Sequence, residues 1–207
     1  LSRGLGDVYK RQGDRGMIEV EVKIPIESIE EIEGQLIHNG FKYQKTVVET
    51  DTYFTSDHYD MRKHDKALRI RTTENRDTGK MRAQLGCKGP KLDNISMTRK
   101  ETEIEIREPE KMKEILKELE FYPAFCRVKK TRSYYSKKRM TAAVDQVENL
   151  GSFLELEILV EKEADREKGL EEIKSVMKQI GCGEKKMVRT SYLLSLIHIS
   201  EPTRQAE

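Results

Sequence analysis

Apolar and polar residues alternate strictly in "MIEVEVKIPI": Ile18, Val20, Val22 and Ile24 share one parity, and Glu19, Glu21 and Lys23 share the other. A period of two predicts a half-buried strand. The pattern recurs along the chain. In "KALRIRT", Leu68 and Ile70 oppose Arg69 and Arg71. In "RKETEIEI", Thr102, Ile104 and Ile106 oppose Arg99, Glu101, Glu103 and Glu105. In "SFLELEILV", Leu154, Leu156, Ile158 and Val160 oppose Phe153, Glu155 and Glu157. "RVKKTRSYY" sets Lys130 and Arg132 on one parity, and "QLGCKGP" places Lys88 beside two glycines. Lys100 and Lys129 fall on the opposite parity and read as solvated. Each strand therefore carries one apolar face and one face crowded with charges of both signs.

Between these strands the period changes to that of helices. In "SIEEIEGQLIHNG", Ser28 and Glu31 form a capping box, Ile29, Ile32, Leu36 and Ile37 an apolar stripe, and Gly40 a stop. A second helix is expected after Pro109, with Met112, Ile115, Leu116 and Leu119 on one side. A third is expected from about Asp165, burying Leu170, Ile173, Val176, Met177 and Ile180 and ending at Gly181. Helices of this kind need a sheet to cover, and the apolar strand faces supply one. A charged strand face, taken alone, would simply meet water. An antiparallel sheet of this many strands tends to curl, however, and closure removes its edges. The expected fold is α+β: a closed antiparallel β-barrel with the amphipathic helices packed outside and the charged faces inside. Enclosed charge is costly unless compensated. A polyanion bridged by metal ions would compensate it.

Composition narrows the reading. Lys and Arg number 39 against 37 Asp and Glu in 207 residues, a net charge of +2. Near-cancellation at such charge density argues against a disordered polyelectrolyte and against a general nucleic-acid binder. The three cysteines, Cys87, Cys126 and Cys182, are widely spaced and odd in number, so reduced thiols and a cytoplasmic location are expected. No apolar run approaches the roughly 18 residues of a membrane span. The ends, "LSRGLGDVYKRQ" and "SLIHISEPTRQAE", do not continue the period of their neighbours and resemble translated sequencing-adaptor read-through. Residues 1–16 and 195–207 are accordingly expected to be non-native or disordered flanks around a single domain over 17–194, starting at Met17.

The motifs together resemble the CYTH, or triphosphate tunnel metalloenzyme, superfamily. Glu19-x-Glu21-x-Lys23 matches its ExExK signature. "DTYF" with Asp51, "LRIR", "CKGP", "RKETEIEI", "KKTRSYY", "AAVDQVENLGSFLELEI" and "RTSYL" follow in the family's order, from Met17 to Leu194. The resemblance implies a charged tunnel that binds a triphosphate with a divalent cation, Mg2+ or Mn2+. It implies that Glu19, Glu21, Glu155 and Glu157 ligate the metal, with Asp145 as a ligand or an orienting group. Glu101 and Glu103 are then auxiliary ligands or salt-bridge partners of the tunnel cations. Lys23, Arg69, Arg71, Lys88, Arg99, Lys130 and Arg132 would neutralise the triphosphate, and Lys23, Arg69, Lys88 and Arg132 would act in catalysis.

His38, His58 and His64 lie apart from any ligand set, and no Ser-His-Asp or Cys-His grouping points to covalent catalysis. Positioning and electrostatic stabilisation with metal assistance remain. The overall layout resembles class IV adenylate cyclases most closely, which convert ATP to cyclic AMP and pyrophosphate. The alternative is an inorganic or nucleoside triphosphatase, with tripolyphosphate among its substrates. A non-catalytic module that senses polyphosphate or RNA ends ranks below both, because anion binding alone needs no metal-binding carboxylates. No nucleic-acid duplex or membrane is expected as a partner, and the resemblance implies a homodimer.

Overall fold

The computed structural model describes residues 18–91 and 99–200, without the side chains of Lys91, Arg99, Lys100 and Ser200. Eight strands form one antiparallel sheet: β1 (Ile18–Ile26), β2 (Lys42–Thr55), β3 (Ala67–Asn75), β4 (Met81–Lys91), β5 (Arg99–Ile106), β6 (Tyr122–Lys137), β7 (Met140–Val147) and β8 (Gly151–Val160). Their spatial order is β1-β8-β7-β6-β2-β3-β4-β5. Bulges between Tyr43 and Lys45 and between Thr52 and Phe54 bend the long strand β2 against β6. The curl brings the edge strands β1 and β5 near each other. The described strands curl into a half-barrel, and among the described residues no ladder joins these two edges to give the expected closure.

Helix α1 (Ile29–His38) begins at Ser28, whose hydroxyl accepts from the Glu31 amide at 3.1 Å. It ends where Gly40, at φ +82°, lets the amide of Phe41 reach back to Leu36. Ile32 and Leu36 join Ile173 and Met177 of α3 (Arg166–Gln179) over Val20, Val22, Ile24, Leu154, Leu156 and Ile158 of the sheet. Helix α2 (Pro109–Glu118) covers the other half of this face, where Leu116 and Met112 meet Phe54, Ile70 and Leu85. The expected stripe is only half right there. Ile115 and Leu119 are 52% and 61% exposed, while Met112 and Leu116 are the α2 residues that pack on the sheet. Ile37 of α1 is likewise turned outward.

A fourth helix, α4 (Tyr192–Ser200), runs through the expected domain boundary at 194 and buries Leu196 and Ile197. It lies against the opposite, charged face of the sheet, where Tyr192 and Leu196 pack on Val128, Val147 and Phe153. Among the described residues, no helix is long and apolar enough to cross a membrane. None of the three cysteines forms a disulfide.

Candidate active site

Antiparallel register builds the charged face. Charged residues sit directly opposite one another as Lys23 and Glu155, Arg71 and Asp51, Lys130 and Glu49, Arg132 and Asp145, and Lys88 and Glu101. Each of these pairs has opposite signs, which is the favourable arrangement for side chains on one face. Glu21 and Glu157, also directly opposed, are both acidic. Glu19 stands two residues along β1, across from Leu159.

Two buried aspartates organise the arginines. Asp51, 2% exposed, accepts Arg71 Nε on Oδ1 at 2.6 Å and Arg71 Nη2 on Oδ2 at 2.7 Å, and Arg69 Nη1 reaches Oδ2 at 3.4 Å. Burial would push the Asp51 carboxyl up, but the Arg71 and Arg69 guanidinium groups outweigh it and hold it down at about 2. Asp145 is fully buried, with Arg132 Nε at 2.6 Å from Oδ1, and Arg132 Nη2, Lys130 Nζ (3.2 Å) and the Tyr192 hydroxyl (2.9 Å) all on Oδ2. Both oxygens are thus engaged by donors, so Asp145 as placed is a counter-ion and anchor; a metal ion there would have to displace cations. Arg132 also pairs with Glu155, whose carboxyl is held well below the usual range because Arg132, Lys130 and Lys23 outweigh its burial.

Arg69 Nη2 donates to Glu103 at 3.2 Å, crossing Gly86, where an added Cβ would lie 3.4 Å from that carboxylate and 3.8 Å from Arg69 Nε. Lys88 pairs with Glu101. Glu101 and Glu103 therefore serve Lys88 and Arg69 as partners. Lys130 lies 3.4 Å from Glu49, and Arg71 Nη1 3.0 Å from the same oxygen. Lys23, 3% exposed, donates to the Thr190 carbonyl at 2.6 Å, and burial lowers its pKa. The side chain of Arg99 lies outside the described residues.

Glu49, Tyr134 and Tyr192 belong to this face and were not singled out from the sequence. Glu49 is two residues before Asp51, on the same parity, and that alternation is the signal that would have found it. Tyr134 donates to Glu49 at 3.2 Å from two residues beyond Arg132. Tyr192 comes from the far end of the chain, and no local period reveals it. The histidines stay outside: His58 pairs with Glu120, and His64 stacks on Tyr59 at 4.3 Å.

Among the described residues, no three His, Cys, Asp or Glu side chains converge as they stand on a point that could hold a metal ion. The donor chemistry of the Glu21 region nevertheless suits a hard divalent ion. Burial, then the neighbouring Glu155 and Glu19 carboxylates, push Glu21 up to about 8. A cation beside Glu19, Glu21 and Glu157 would relieve that crowding.

Comparison with known proteins agrees with this geometry. A family model described as "CYTH domain" matches residues 17–192. A Methanocaldococcus jannaschii protein named "Putative adenylate cyclase" is 38% identical over 177 residues, spanning 86% of this chain and 97% of that one. The solved PH1819 protein of Pyrococcus horikoshii matches with a TM-score of 0.79 at 34% identity, covering 87% of this chain and 99% of that one. A "putative adenylyl cyclase" from Hippeastrum, described as having a dominant triphosphatase activity, shares the fold at a TM-score of 0.62 and 19% identity, covering 87% of this chain and 95% of that one.

Proposed function

The chain belongs to the CYTH domain family, and on that premise we propose that it is a metal-dependent enzyme acting on a triphosphate, converting ATP to cyclic AMP and pyrophosphate. The observation that carries this reading is the gathering of Lys23, Arg69, Arg71, Lys88, Lys130 and Arg132 on one sheet face beside the directly opposed carboxylates Glu21 and Glu157. The name of the Methanocaldococcus relative, which matches nearly end to end, supports the cyclase form.

Glu19, Glu21 and Glu157, with Glu155 once released by Arg132, would hold Mg2+ or Mn2+, which supplies Lewis-acid polarisation of phosphate oxygens. The rest falls to the chain itself. Guanidinium forks of Arg69, Arg71 and Arg132 match paired phosphate oxygens, and Lys23 and Lys88 add compact charges. Asp51, Glu49 and Asp145 hold these cations in position before the substrate arrives, so little reorganisation is needed when the phosphates bind. Fixed in this cradle, the α-phosphorus is presented to the ribose 3′-hydroxyl. That oxygen forms the new bond to the α-phosphorus and loses its proton, which the departing pyrophosphate can take up as its own bond to the α-phosphorus breaks.

A triphosphatase is the second reading. Water then attacks the terminal phosphorus in the same cradle. One observation favours it: the apolar cluster on the charged face is occupied by Tyr192 and Leu196, which a base seated there would have to displace. Product analysis with ATP and with tripolyphosphate, each under Mg2+ and Mn2+, decides. Cyclic AMP with pyrophosphate is the expected result. Rapid orthophosphate release from tripolyphosphate, with no cyclic nucleotide from ATP, would establish the hydrolase instead.

A further inference from the structure

We propose that Tyr192 is a positioning residue of the anion site, holding Lys23, Lys130 and Asp145 in place for a polyphosphate. The proposal rests on the reading above that the charged face takes a polyanion. Three contacts converge on this one side chain. Its hydroxyl donates to Asp145 Oδ2 at 2.9 Å. Its ring lies under Lys23 Nζ at 4.1 Å and Lys130 Nζ at 5.2 Å. Phe153, 5.0 Å away, fixes the ring from the sheet side.

The chemistry of these contacts differs from that around the arginines. Carboxylates grip Arg69, Arg71 and Arg132, neutralising charge as they position it. At close range Lys23 is held by two neutral acceptors, the Tyr192 ring and the Thr190 carbonyl at 2.6 Å. A ring face and a carbonyl steady an ammonium without cancelling its charge, so the charge stays available to a phosphate. The phenol also settles a competition at Asp145. That carboxylate already faces Arg132 and Lys130, and a neutral donor completes its shell without adding a third cation. Burial and the nearby Glu155 and Asp145 carboxylates keep the phenol protonated, and so a donor.

The backbone ties the segment to the site as well. The Val188 amide donates to the Lys23 carbonyl at 2.7 Å, so residues 188–192 hold Lys23 through both its main chain and its ammonium. The C-terminal segment is thereby a working wall of the anion site.

Calorimetric titration of tripolyphosphate with Mg2+ into wild-type, Tyr192→Phe, Tyr192→Leu and Leu196→Ala proteins tests this, alongside thermal melting. Tyr192→Phe keeps the ring and loses the hydrogen bond, and about tenfold weaker binding is expected, the scale of one hydrogen bond to a charged group. Tyr192→Leu also loses the ring, and a further loss of about threefold is expected. Leu196→Ala removes apolar side-chain packing in the same cluster; it is expected to lower the Tm and leave binding unchanged. Unchanged binding in both Tyr192 variants, or equal weakening in Leu196→Ala, would overturn the proposal. A second readout is independent of the ligand: acylation of Lys23 by a neutral amine reagent, quantified by mass spectrometry, is expected to rise in Tyr192→Leu and not in Leu196→Ala. Absence of tripolyphosphate binding by the wild-type protein would sink the functional reading, while equal Lys23 labelling in all four proteins would sink the positioning role.

Discussion

Glu21 on β1 and Glu157 on β8 stand directly opposite each other in an antiparallel ladder, two carboxylates on one partly enclosed face. The pairs Lys23 and Glu155, Arg71 and Asp51, Lys130 and Glu49, Arg132 and Asp145, and Lys88 and Glu101, directly opposed on the same face, each combine opposite signs. Like charges so placed destabilise a sheet. The fold carries that cost at the place where the proposed reaction needs a cation.

Replacing Glu21 or Glu157 by Gln is therefore expected to stabilise the metal-free protein, by about 0.5–1 kcal/mol for a relieved cross-strand repulsion. Turnover is expected to vanish, because the amide keeps the volume and loses the charge that holds the metal. Chemical denaturation without metal and a product assay with Mg2+ check the two halves. Near-normal activity at limiting Mg2+ would remove that residue from the ligand set.

The stability of the metal-free protein is expected to have an optimum in the acid range. Glu21 is raised from 4.5 to about 8, so the folded state binds a proton more tightly than the unfolded one. Its contribution is complete below about 4.5 and is lost as the pH climbs through about 8. Asp51 acts in the other sense: lowered from 3.8 to about 2, it stabilises the fold above about 3.8 and that contribution is lost as the pH falls through about 2. Urea midpoints measured across this span are expected to decline on the alkaline side in the wild-type protein and to stay flat there in Glu21→Gln. An alkaline decline of equal size in both proteins would locate the titration elsewhere.

Asp51→Asn tests the counter-ion network. The carboxylate is 2% exposed and serves both Arg71 and Arg69, so its loss leaves Arg71 with Glu49 and Arg69 with Glu103 and takes the most buried counter-ion from both. Removing one partner of a buried ion pair costs about 3–5 kcal/mol. A bound polyphosphate would supply the missing negative charge. Tripolyphosphate is thus expected to raise the Tm of the variant more than that of the wild-type protein. An equal shift in both would mean that the ligand does not reach these arginines.

Much of this arrangement was legible in the sequence, because a strand's period of two assigns every residue to a face once one face is known. Lys23, Arg69, Arg71, Lys130, Arg132 and Glu155 follow from parity alone. Parity does not say which partner a residue meets across the ladder. The engagement of Asp145 by Arg132, Lys130 and Tyr192 depends on the register of β6 against β7 and on a helix from the chain's end. The outward turn of Ile115 and Leu119 escaped for a related reason. A helical stripe fixes which residues neighbour one another on the helix, whereas the tertiary contacts beneath it decide how many of them are covered.

The nucleophile separates the two enzymatic readings, and substrate analogues reveal it. The cationic cradle and the metal grip phosphates, so the sugar matters only when it attacks. A cyclase is expected to accept 2′-deoxy-ATP, which retains the 3′-hydroxyl, and to leave 3′-deoxy-ATP uncyclised. A triphosphatase would hydrolyse both analogues, and bare tripolyphosphate too, since water supplies its attacking oxygen. We expect a cyclic product and pyrophosphate from 2′-deoxy-ATP and none from the 3′-deoxy analogue, read by chromatography of the nucleotide products. Binding of 3′-deoxy-ATP with an affinity near that of ATP would show that the phosphates carry recognition while the ribose supplies only the attacking oxygen. Orthophosphate released at equal rates from both analogues would assign the attack to water and the protein to the hydrolases.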